Sequence, residues 1–486
     1  MKKLLTILHI SLLTTALFTT SQAGNTVFYA LTPNGGTHNK GAIISFTPAT
    51  STESVVYSFA DGTDGATPAG SLVYDATNNL FYGTTQNGGA YSAGTIFTFN
   101  PTTNTETVVY SFGNGTDGQW PSADLTYDAA DGLFFGQTMS GGGNGDGTMF
   151  TFNPTSKVET DIYDFDGTLS ADVSTDFYYD ATNATLIGIG DGGQYAAGDL
   201  FVVKPAVDSI IDLWDFGNGT DGSYPGVGPV AYDATNGLIY LAMEYGGANS
   251  HGAIISYNLS TKAENVAYSF AGGTDARGVG GALVYDAAKG LFYATSGGGA
   301  NNQGSIFSFN PANNAESVAY SFAGGTDGSA PVGTPIYDAT NGLYYMMTTT
   351  GGTNNKGTII SFNPSNNAES VVWSFGGTND VSSPSASFAQ ATSTTGINTV
   401  SNDVVSVEVY PNPVQNYLTF KFKDAQPGNE FIARILDITG RELANTNYTV
   451  RQNSNTIDVS SLSAGIYFLS LSNSQEVIAT QKFIKE

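Results

Sequence analysis

The sequence predicts an all-β protein whose larger part is a seven-bladed β-propeller, and two observations support this prediction. The chain repeats itself seven times at a spacing of about 53 residues, a period typical of propellers and solenoids. Within each repeat, Gly, Asn, Asp and Pro clusters separate four short runs of alternating apolar and aromatic residues, which predicts four strands. The glycines that precede the third run show the period, and they are Gly41, Gly94, Gly147, Gly198, Gly252, Gly304 and Gly357.

The two ends of the repeat array predict that the termini share one blade. Residues 26–31 match the second run of a repeat, and the array stops after residues 385–392, which match the first run. One strand is therefore missing at the start and supplied at the end. Pairing of residues 27–31 with 385–391 in one sheet would close the array and remove the exposed edges that an open solenoid leaves.

Composition agrees with this fold and limits the partners. The 486 residues include 60 Gly, 27 Tyr and 29 Phe, as tight hairpins and aromatic-rich strands require. The sequence has no cysteine, which excludes disulfides and thiolate metal sites. The net charge of −26 is concentrated in residues 24–403, which contain 34 acidic and 7 basic residues, whereas residues 404–486 contain 8 and 7. Nucleic acid and anionic lipid are therefore not expected partners.

Four segments follow one another along the chain. Residues 1–23 have the pattern of a signal peptide, with two lysines, a short apolar stretch and a small residue before the predicted cleavage at Gly24. The propeller is predicted at residues 24–391. Residues 392–405 are rich in Thr, Ser and Asn and predict a linker, and residues 406–486 form a separate C-terminal domain. No segment is long and apolar enough to predict a transmembrane helix.

The C-terminal domain contains five short motifs in a fixed order. Their residues include Tyr410, Pro411, Asn412, Pro413, Gly440, Arg441, Gly465, Tyr467 and Lys485. The ordered set resembles the type A C-terminal sorting domain of type IX secretion cargo. That resemblance implies a small β-sandwich, the type IX machinery as partner, and export through the periplasm to the surface or exterior of a Bacteroidetes-type bacterium. An ordinary adhesive β-sandwich is the alternative interpretation.

The repeat also resembles a known family. Tyr82–Thr85, Gly94–Phe97, Tyr110–Phe112 and Asp117-Gly118 with Pro121 resemble the Gloeo-Verruco (GloVer) tandem repeat, and the similarity covers residues 27–391. The third repeat departs from the pattern, because Phe165 to Leu169 replace the usual Gly-Thr-Asp-Gly. The family is defined by its repeat, and the resemblance implies no activity for particular residues.

The aspartates that recur in the repeats are more simply explained as turn-forming residues than as metal ligands. Five of them occupy the Gly-Thr-Asp-Gly loops, and they are Asp64, Asp117, Asp221, Asp275 and Asp327. A side chain that caps its own turn is the simpler interpretation. Binding of Ca²⁺, which prefers oxygen ligands, is the alternative, and no other cofactor is indicated.

Catalysis lacks an identifiable set of residues. After the signal peptide only His38 and His251 remain, and no motif gives either one the partners of a triad or a zinc site. Arg277 is the only arginine between residues 24 and 403, which argues against an arginine cluster for a carboxylate substrate. Glycoside hydrolysis needs only two carboxylates, and nothing in the sequence selects a pair. No catalytic residue is therefore assigned.

A ligand site is expected where the repeats differ from one another. Before the loop proline most repeats have a small residue, but two have Trp120 and Tyr224. Neighbouring glycine-rich loops contain Tyr91, Tyr195 and Tyr245. These five aromatics suit stacking on sugar rings, and packing over blade edges is the alternative. The sequence thus favours an exported binding module for a glycan or a surface protein. The alternatives are a carbohydrate-active enzyme, a hydrolase or lyase on the same propeller, and a purely structural surface protein.

Overall fold

The computed structural model divides the chain into two compact units, Met1–Ala391 and Thr392–Glu486. Its described residues are 26–128, 131–166, 176–180, 183–190, 192–204, 209–226, 228–233, 236–377, 380–391, 407–422, 430–436, 442–449, 454–463, 465–472 and 477–485. The signal peptide and linker predicted at residues 1–23 and 392–405 lie outside these ranges. Within them, no helix combines the length and the apolar composition needed to cross a membrane.

The described part of the N-terminal unit consists of β-strands, short turns and 3₁₀ turns at Pro48–Thr50 and Gly325–Asp327. The strands of its first half are β1 (Phe28–Thr32), β2 (Ala42–Thr47), β3 (Thr52–Ser58), β4 (Ala66–Asp75), β5 (Leu80–Asn87), β6 (Thr95–Asn100), β7 (Thr105–Ser111), β8 (Gly118–Pro121), β9 (Thr126–Asp128), β10 (Leu133–Gly141), β11 (Thr148–Asn153), β12 (Val158–Asp164), β13 (Tyr178–Asp180), β14 (Thr185–Gly190), β15 (Asp199–Lys204) and β16 (Ser209–Asp215). Those of its second half are β17 (Ser223–Pro225), β18 (Ala231–Asp233), β19 (Leu238–Tyr245), β20 (Ala253–Asn258), β21 (Ala263–Ser269), β22 (Val284–Asp286), β23 (Leu291–Ser296), β24 (Ser305–Asn310), β25 (Ala315–Ser321), β26 (Ser329–Asp338), β27 (Leu343–Thr350), β28 (Thr358–Asn363), β29 (Ala368–Ser374) and β30 (Ala389–Gln390).

These described strands form seven antiparallel sheets, five with four strands and two with five. Four sheets follow the chain directly, in the orders β4-β5-β6-β7, β13-β14-β15-β16, β22-β23-β24-β25 and β26-β27-β28-β29. In two more the first strand is split, into β8 with β9 and into β17 with β18. The last has the order β30-β1-β2-β3. Within each sheet the four runs of a repeat lie side by side, as the four strands that the sequence predicts.

The first and last strands of the N-terminal unit lie in one sheet. β1 pairs with β30 through Phe28 opposite Gln390 and Tyr29 opposite Ala389. Its other edge pairs with β2 over all five residues of β1. The pairing that the split repeat predicts is therefore present, and β1 has a neighbour on both edges.

Seven hydrophobic clusters lie between sheets of the N-terminal unit, and each combines residues from two sheets. In one of them Phe59, beside the first sheet, meets Phe97 of the next with ring centroids 5.2 Å apart at 69°. Such edge-on aromatic pairs contribute about 0.5–1.5 kcal/mol beyond the area they bury. Another cluster joins Phe28 of the first sheet to Tyr345 of the last. Alternating apolar residues thus fill both faces of these sheets.

Each sheet also carries the same irregularity between its last two strands. A register shift of one residue occurs there in all seven sheets, for example between Ile96 and Phe97. A β-bulge reverses the faces to which the following side chains point. Residues on the two sides of the bulge therefore reach different neighbouring sheets.

Turn chemistry fixes the connections between strands. The Asp75 carboxylate accepts a hydrogen bond from the Thr77 backbone N–H at 2.9 Å and another from Asn78 Nδ2 at 2.7 Å, as in an Asx turn. Gly94 has a φ of +104°, and an added Cβ would overlap the Thr85 carbonyl oxygen and Cδ of Pro121. Only glycine fits at such a position.

The C-terminal unit has two antiparallel sheets in its described part. Its strands are β31 (Val407–Tyr410), β32 (Tyr417–Phe422), β33 (Glu430–Leu436), β34 (Glu442–Thr449), β35 (Ser454–Asp458), β36 (Gly465–Ser472) and β37 (Val477–Lys485). The sheet orders are β31-β32-β35 and β34-β33-β36-β37. One core, with Leu418 and Phe420 from the first sheet and Leu469 and Phe483 from the second, joins them.

Candidate functional site

Trp120 and Tyr224 lie on equivalent loops of the N-terminal unit and are exposed, with 44% and 47% of their surface accessible. Both have left-handed backbones, with φ of +58° and +54°. A left-handed conformation costs a non-glycine residue about 1–2 kcal/mol. Burial does not offset this cost, because the rings face solvent.

The same backbone position is left-handed in other repeats, where the side chains are small. These residues are Thr67, Gly278, Ala330 and Ser383. At all six positions the backbone N–H donates to a carbonyl of a preceding glycine-rich loop, at 2.8 Å for Trp120 to Ala93 and 2.7 Å for Tyr224 to Ala197. The hydrogen bond fixes the backbone in these six repeats, so the backbone does not require an aromatic side chain.

The other three predicted aromatics are also exposed, and they lie on loops that contact the Trp120 or Tyr224 loop. Tyr91 precedes Ala93 by two residues, so we call Tyr91 and Trp120 the first aromatic cluster. Tyr195 precedes Ala197 in the same way, and the Tyr224 ring meets the Tyr245 ring edge-on, with centroids 5.9 Å apart at 87°. We call Tyr195, Tyr224 and Tyr245 the second aromatic cluster.

The second aromatic cluster includes an acidic group. A hydrogen bond between the Tyr245 hydroxyl and the Glu244 carboxylate raises the pKa of Tyr245. A carboxylate beside an exposed ring can accept hydrogen bonds from ligand hydroxyls. This site therefore combines a flat apolar surface with a hydrogen-bond acceptor.

The five Gly-Thr-Asp-Gly aspartates remain in five separate repeats. Each accepts a backbone N–H from the residue four positions earlier, as Asp64 does from Ala60 at 2.6 Å. Four also accept a hydrogen bond from a tyrosine hydroxyl seven positions earlier, and Asp221 accepts one from Trp214. Among the described residues, the one acidic group compact enough for a metal is Asp117, Glu159 and Asp161. Its oxygen donors suit Ca²⁺, and calcium binding stays a prediction.

A small cavity is lined by one segment from each of the seven sheets. Its volume is about 160 Å³, and its lining residues include Ser71, Asp124, Asp176, Gly228, Gly281, Thr334 and Ser387. Backbone N–H groups donate to side-chain oxygens of the next repeat, from Ser387 to Ser71 at 3.1 Å, from Ser71 to Asp124, from Asp124 to Asp176 at 2.8 Å, from Ala282 to Thr334 at 3.3 Å and from Thr334 to Ser387 at 2.8 Å. These hydrogen bonds link successive repeats.

Asp124 and Asp176 are two carboxyl groups side by side in this cavity. Burial raises the pKa of both, and the neighbouring Asp124 charge raises that of Asp176 further. The sequence pattern does not single out this pair. Both lie four residues before the aspartate that ends the inner strand, where other repeats have Ser71, Ala282 or Thr334. That difference between repeats was the available signal.

The sorting motifs of the C-terminal unit come together although they are far apart in sequence. The Asn412 side chain accepts a hydrogen bond from the Ile484 N–H at 2.9 Å, and the Val414 N–H donates to the Ile484 carbonyl at 2.7 Å. Gly465 pairs with Lys485, and the Tyr467 ring stacks on Phe483 at 5.8 Å. Tyr410 is exposed, whereas Gly440 and Arg441 lie outside the described residues.

The fold and these two units define an exported all-β repeat protein with a C-terminal sorting signal. Residues 14–191 and 185–404 match the family described as the Gloeobacter/Verrucomicrobia repeat, so the chain belongs to that family. Residues 408–486 match the family described as the secretion system C-terminal sorting domain. This tail indicates export by the type IX machinery to the cell surface or the exterior.

Solved structures support the fold of the N-terminal unit. A candidate 6-phosphogluconolactonase from Bacteroides fragilis is 13% identical, with a TM-score of 0.51, and covers 76% of this chain and 99% of its own. A second from Bacteroides uniformis is 14% identical, with a TM-score of 0.50, and covers 75% and 99%. At such low identity these propeller-like neighbours indicate the fold alone. The comparison with curated proteins gave no match.

Proposed function

We propose that this protein is a glycan-binding module, released or displayed on the cell surface, whose N-terminal unit is a closed seven-bladed β-propeller. Residues 1–23 would act as the signal peptide of a Bacteroidetes-type bacterium. The propeller would occupy residues 24–391, the linker 392–405 and the sorting domain 406–486. The glycan would bind at the two aromatic clusters.

The closed ring is supported by contacts between the first and last repeats. β1 pairs with β30, and the Thr26 hydroxyl donates to Asp338 at 3.3 Å. One hydrophobic cluster combines residues of the first and last sheets. The cavity with one lining segment from each sheet would then lie on the ring axis. Closure accounts for all of these contacts, because it gives the first sheet two neighbours.

The binding proposal rests on the left-handed, exposed aromatics Trp120 and Tyr224. Bulky residues in strained conformations occur mainly where function requires them. Tyrosine and tryptophan also combine a large apolar face with a hydrogen-bonding group, which suits a ligand that has both. A sugar ring has an apolar face and hydroxyl groups at its rim, so it fits this combination.

The charge of the protein favours an uncharged glycan. Residues 24–403 contain 34 acidic and 7 basic residues, so an anionic polysaccharide would be repelled over the whole surface. A neutral chain avoids this repulsion and can still donate hydroxyl hydrogen bonds to Glu244. A protein ligand is the alternative occupant. In that case the N-terminal unit would bind a surface protein, and added glycans would not inhibit this binding.

Replacing Trp120 or Tyr224 with glycine should weaken binding without destabilising the fold. Glycine removes the ring and relieves about 1 kcal/mol of backbone strain. Each variant should bind a neutral oligosaccharide about 5–150 times more weakly, which corresponds to about 1–3 kcal/mol for a buried side chain. A glycan array with the purified N-terminal unit identifies the oligosaccharide, and titration calorimetry then measures its Kd.

Thr67→Gly and Ala330→Gly are matched controls for this experiment. They relieve the same backbone strain at the same loop position but remove no ring. Their melting temperatures should rise as in the aromatic variants, while their Kd values stay at the wild-type level. Equal affinity in all four variants would exclude both aromatic clusters as the site.

A carbohydrate-active enzyme is the second candidate, because Asp124 and Asp176 are paired carboxyl groups in one cavity. Two features count against it. The volume of about 160 Å³ is below the roughly 300–1,000 Å³ usual for ligand pockets. The two carboxyl groups are hydrogen-bonded to each other, whereas glycosidases separate theirs by about 5 Å or more so that the bond to be cleaved lies between them.

Incubation with a panel of plant and bacterial polysaccharides should therefore release no new reducing ends and no unsaturated sugars. The assay measures both products, because a hydrolase releases new reducing ends, whereas a lyase releases new reducing ends and unsaturated sugars. Asp176→Asn is the diagnostic variant. If the wild type cleaves a polysaccharide and Asp176→Asn does not, the protein is a carbohydrate-active enzyme and the binding proposal is wrong.

A further inference from the structure

Neighbouring repeats meet at a repeated group of acidic and aromatic side chains, which we call a carboxyl seam. Each seam contains a glutamate from the outermost strand of one repeat and an aspartate from the loop that follows the outermost strand of a neighbouring repeat. Five of these aspartates are those of the Gly-Thr-Asp-Gly loops, and the sixth is Asp380. The described seams pair Glu53 with Asp380, Glu106 with Asp64, Glu159 with Asp117, Glu264 with Asp221, Glu316 with Asp275 and Glu369 with Asp327.

The β-bulge in the outermost strand makes the seams continuous from repeat to repeat. Glu106 and Tyr110 are four residues apart, so a regular strand would place them on one face. The register shift between Ile96 and Phe97 lies between their partners on β6. Glu106 therefore faces Asp64 of the preceding repeat, while Tyr110 faces Glu159 of the following one.

If every carboxyl group in a seam were ionised, the tyrosine hydroxyl would have two carboxylate neighbours but only one proton to donate. The Tyr110 hydroxyl lies 2.9 Å from Asp117 Oδ2 and 3.0 Å from Glu159 Oε2, and Tyr57 is 2.7 Å from Asp64 and 3.3 Å from Glu106. A tyrosine hydroxyl has one proton to donate. Both contacts are hydrogen bonds if one carboxyl group is protonated and donates to the tyrosine oxygen, which then donates to the other carboxyl group. The aspartate already accepts a backbone N–H, from Ala60 at Asp64 and from Gly113 at Asp117, which assigns the proton to the glutamate.

The second oxygen of each seam glutamate supports the same assignment. Oε1 is buried without a hydrogen-bond partner in Glu53, Glu106, Glu159, Glu264, Glu316 and Glu369. A buried, unpartnered oxygen of an ionised carboxylate costs much more free energy than the carbonyl oxygen of a neutral acid. The same feature at six positions indicates a property of the repeat.

The groups that face each glutamate are acidic or neutral. Asp64 and Tyr57 face Glu106, and Asp117, Asp161 and Tyr110 face Glu159. Across the other seams the groups are Asp275 and Tyr268 at Glu316, Asp327 and Tyr320 at Glu369, Asp380 at Glu53 and Asp221 at Glu264. No cation appears among them to stabilise the ionised form.

We propose that the seam glutamates that meet a tyrosine and lie outside the candidate Ca²⁺ group, which are Glu106, Glu316 and Glu369, each bind a proton in the folded protein, so that these seams together act as a pH-dependent clamp between neighbouring repeats. The neutral glutamic acids hold the repeats together through the tyrosine relay. Ionisation places a second negative charge beside each aspartate and separates the repeats. The fold is thus most stable in acidic medium and loses stability as the pH rises through neutral into the alkaline range.

The direction follows from the pKa values. Burial, followed by repulsion from the aspartates, raises the pKa of Glu106, Glu159 and Glu369 to about 8 and that of Glu316 to about 9. Burial and Asp380 raise the pKa of Glu53 to about 8, and the pKa of Glu264 is also raised. A pKa above the unfolded value means that stability is complete below about pH 4.5 and falls as pH rises through about 8.

Unfolding should therefore release protons near neutral pH. The full-length mature protein, unfolded by guanidinium in weakly buffered solution at about pH 6.5, should release at least about three protons per chain from these seams and about one more from the Asp124–Asp176 pair, because unfolded carboxyl groups are ionised there. Its melting temperature should fall by at least about 5 °C between about pH 6.5 and pH 9.5. Release of about one proton or fewer would show that the seams are ionised and would overturn the proposal.

Glutamine variants assign the released protons to the seams. Glu106→Gln, Glu316→Gln and Glu369→Gln replace the acid O–H with an amide N–H that can donate to the same oxygens. Each should release about one proton fewer and should not lower the melting temperature at about pH 6.5, because the variant no longer has to bind that proton on folding. Asp176→Asn accounts for the proton outside the seams, and it should lower the release by about one proton in the wild type and in each glutamine variant alike. Unchanged proton release in the glutamine variants would locate the protons elsewhere, even if wild-type release is high.

Discussion

Deleting residues 26–32 should prevent the N-terminal unit from folding. The deletion removes β1, the strand that pairs with both β2 and β30. It also removes Phe28, which is fully buried and meets the rings of Tyr345 and Phe388 at 5.5 and 5.7 Å. Loss of a buried phenylalanine side chain alone costs about 3–5 kcal/mol, and a typical domain has about 5–15 kcal/mol of stability in total. The remaining sheet would in addition have two unpaired edges.

The measurement is the far-UV circular dichroism and the protease resistance of the purified N-terminal unit with and without residues 26–32. A matched control moves the same residues to follow Ala391 through a short turn. β30 runs antiparallel to β1, just as β4 runs antiparallel to β5 across a hairpin. The relocated strand should restore the fold, because it can pair as before. A folded deletion variant would contradict the shared sheet.

Sequence alone predicted the features that depend on local pattern. The four runs of each repeat became strands, because alternation of apolar residues and turn residues are local signals. The split repeat predicted the pairing of β1 with β30, since a missing run must be supplied from the other end. The sequence selected Trp120 and Tyr224 because they replace small residues in a loop, but it left open whether their rings are exposed for a ligand or pack over blade edges, and the structure exposes both.

The carboxyl seams and the Asp124–Asp176 pair depend on contacts that the local pattern does not show. In a regular strand, Glu106 and Tyr110 would share a face, and the bulge that separates them leaves no local signal in the sequence. Asp124 and Asp176 are about 50 residues apart, and only the packing of neighbouring repeats brings them together. Comparison of the repeats position by position shows both as acidic residues, but it does not show what they face.

Truncation after Asp403 should leave the N-terminal unit folded and trapped in the periplasm. The unit Thr392–Glu486 has its own hydrophobic core, so its loss removes no core residue from Met1–Ala391. The sorting family matches residues 408–486, which the truncation removes completely. The measurement is an immunoblot of periplasm, outer membrane and culture medium from a host with the type IX machinery. Normal amounts of the truncated protein outside the cell would contradict the sorting role.

Two point variants separate folding of the tail from its recognition. Phe483 is fully buried and stacks on Tyr467, so Phe483→Ala should destabilise the C-terminal unit by about 3–5 kcal/mol and reduce export as the truncation does. Tyr410 is exposed beside the Asn412 contact with Ile484, so Tyr410→Ala should leave the melting temperature unchanged. Reduced export of Tyr410→Ala would then mean that the machinery reads this surface directly. Normal export would mean that recognition depends on the folded unit and not on the Tyr410 ring.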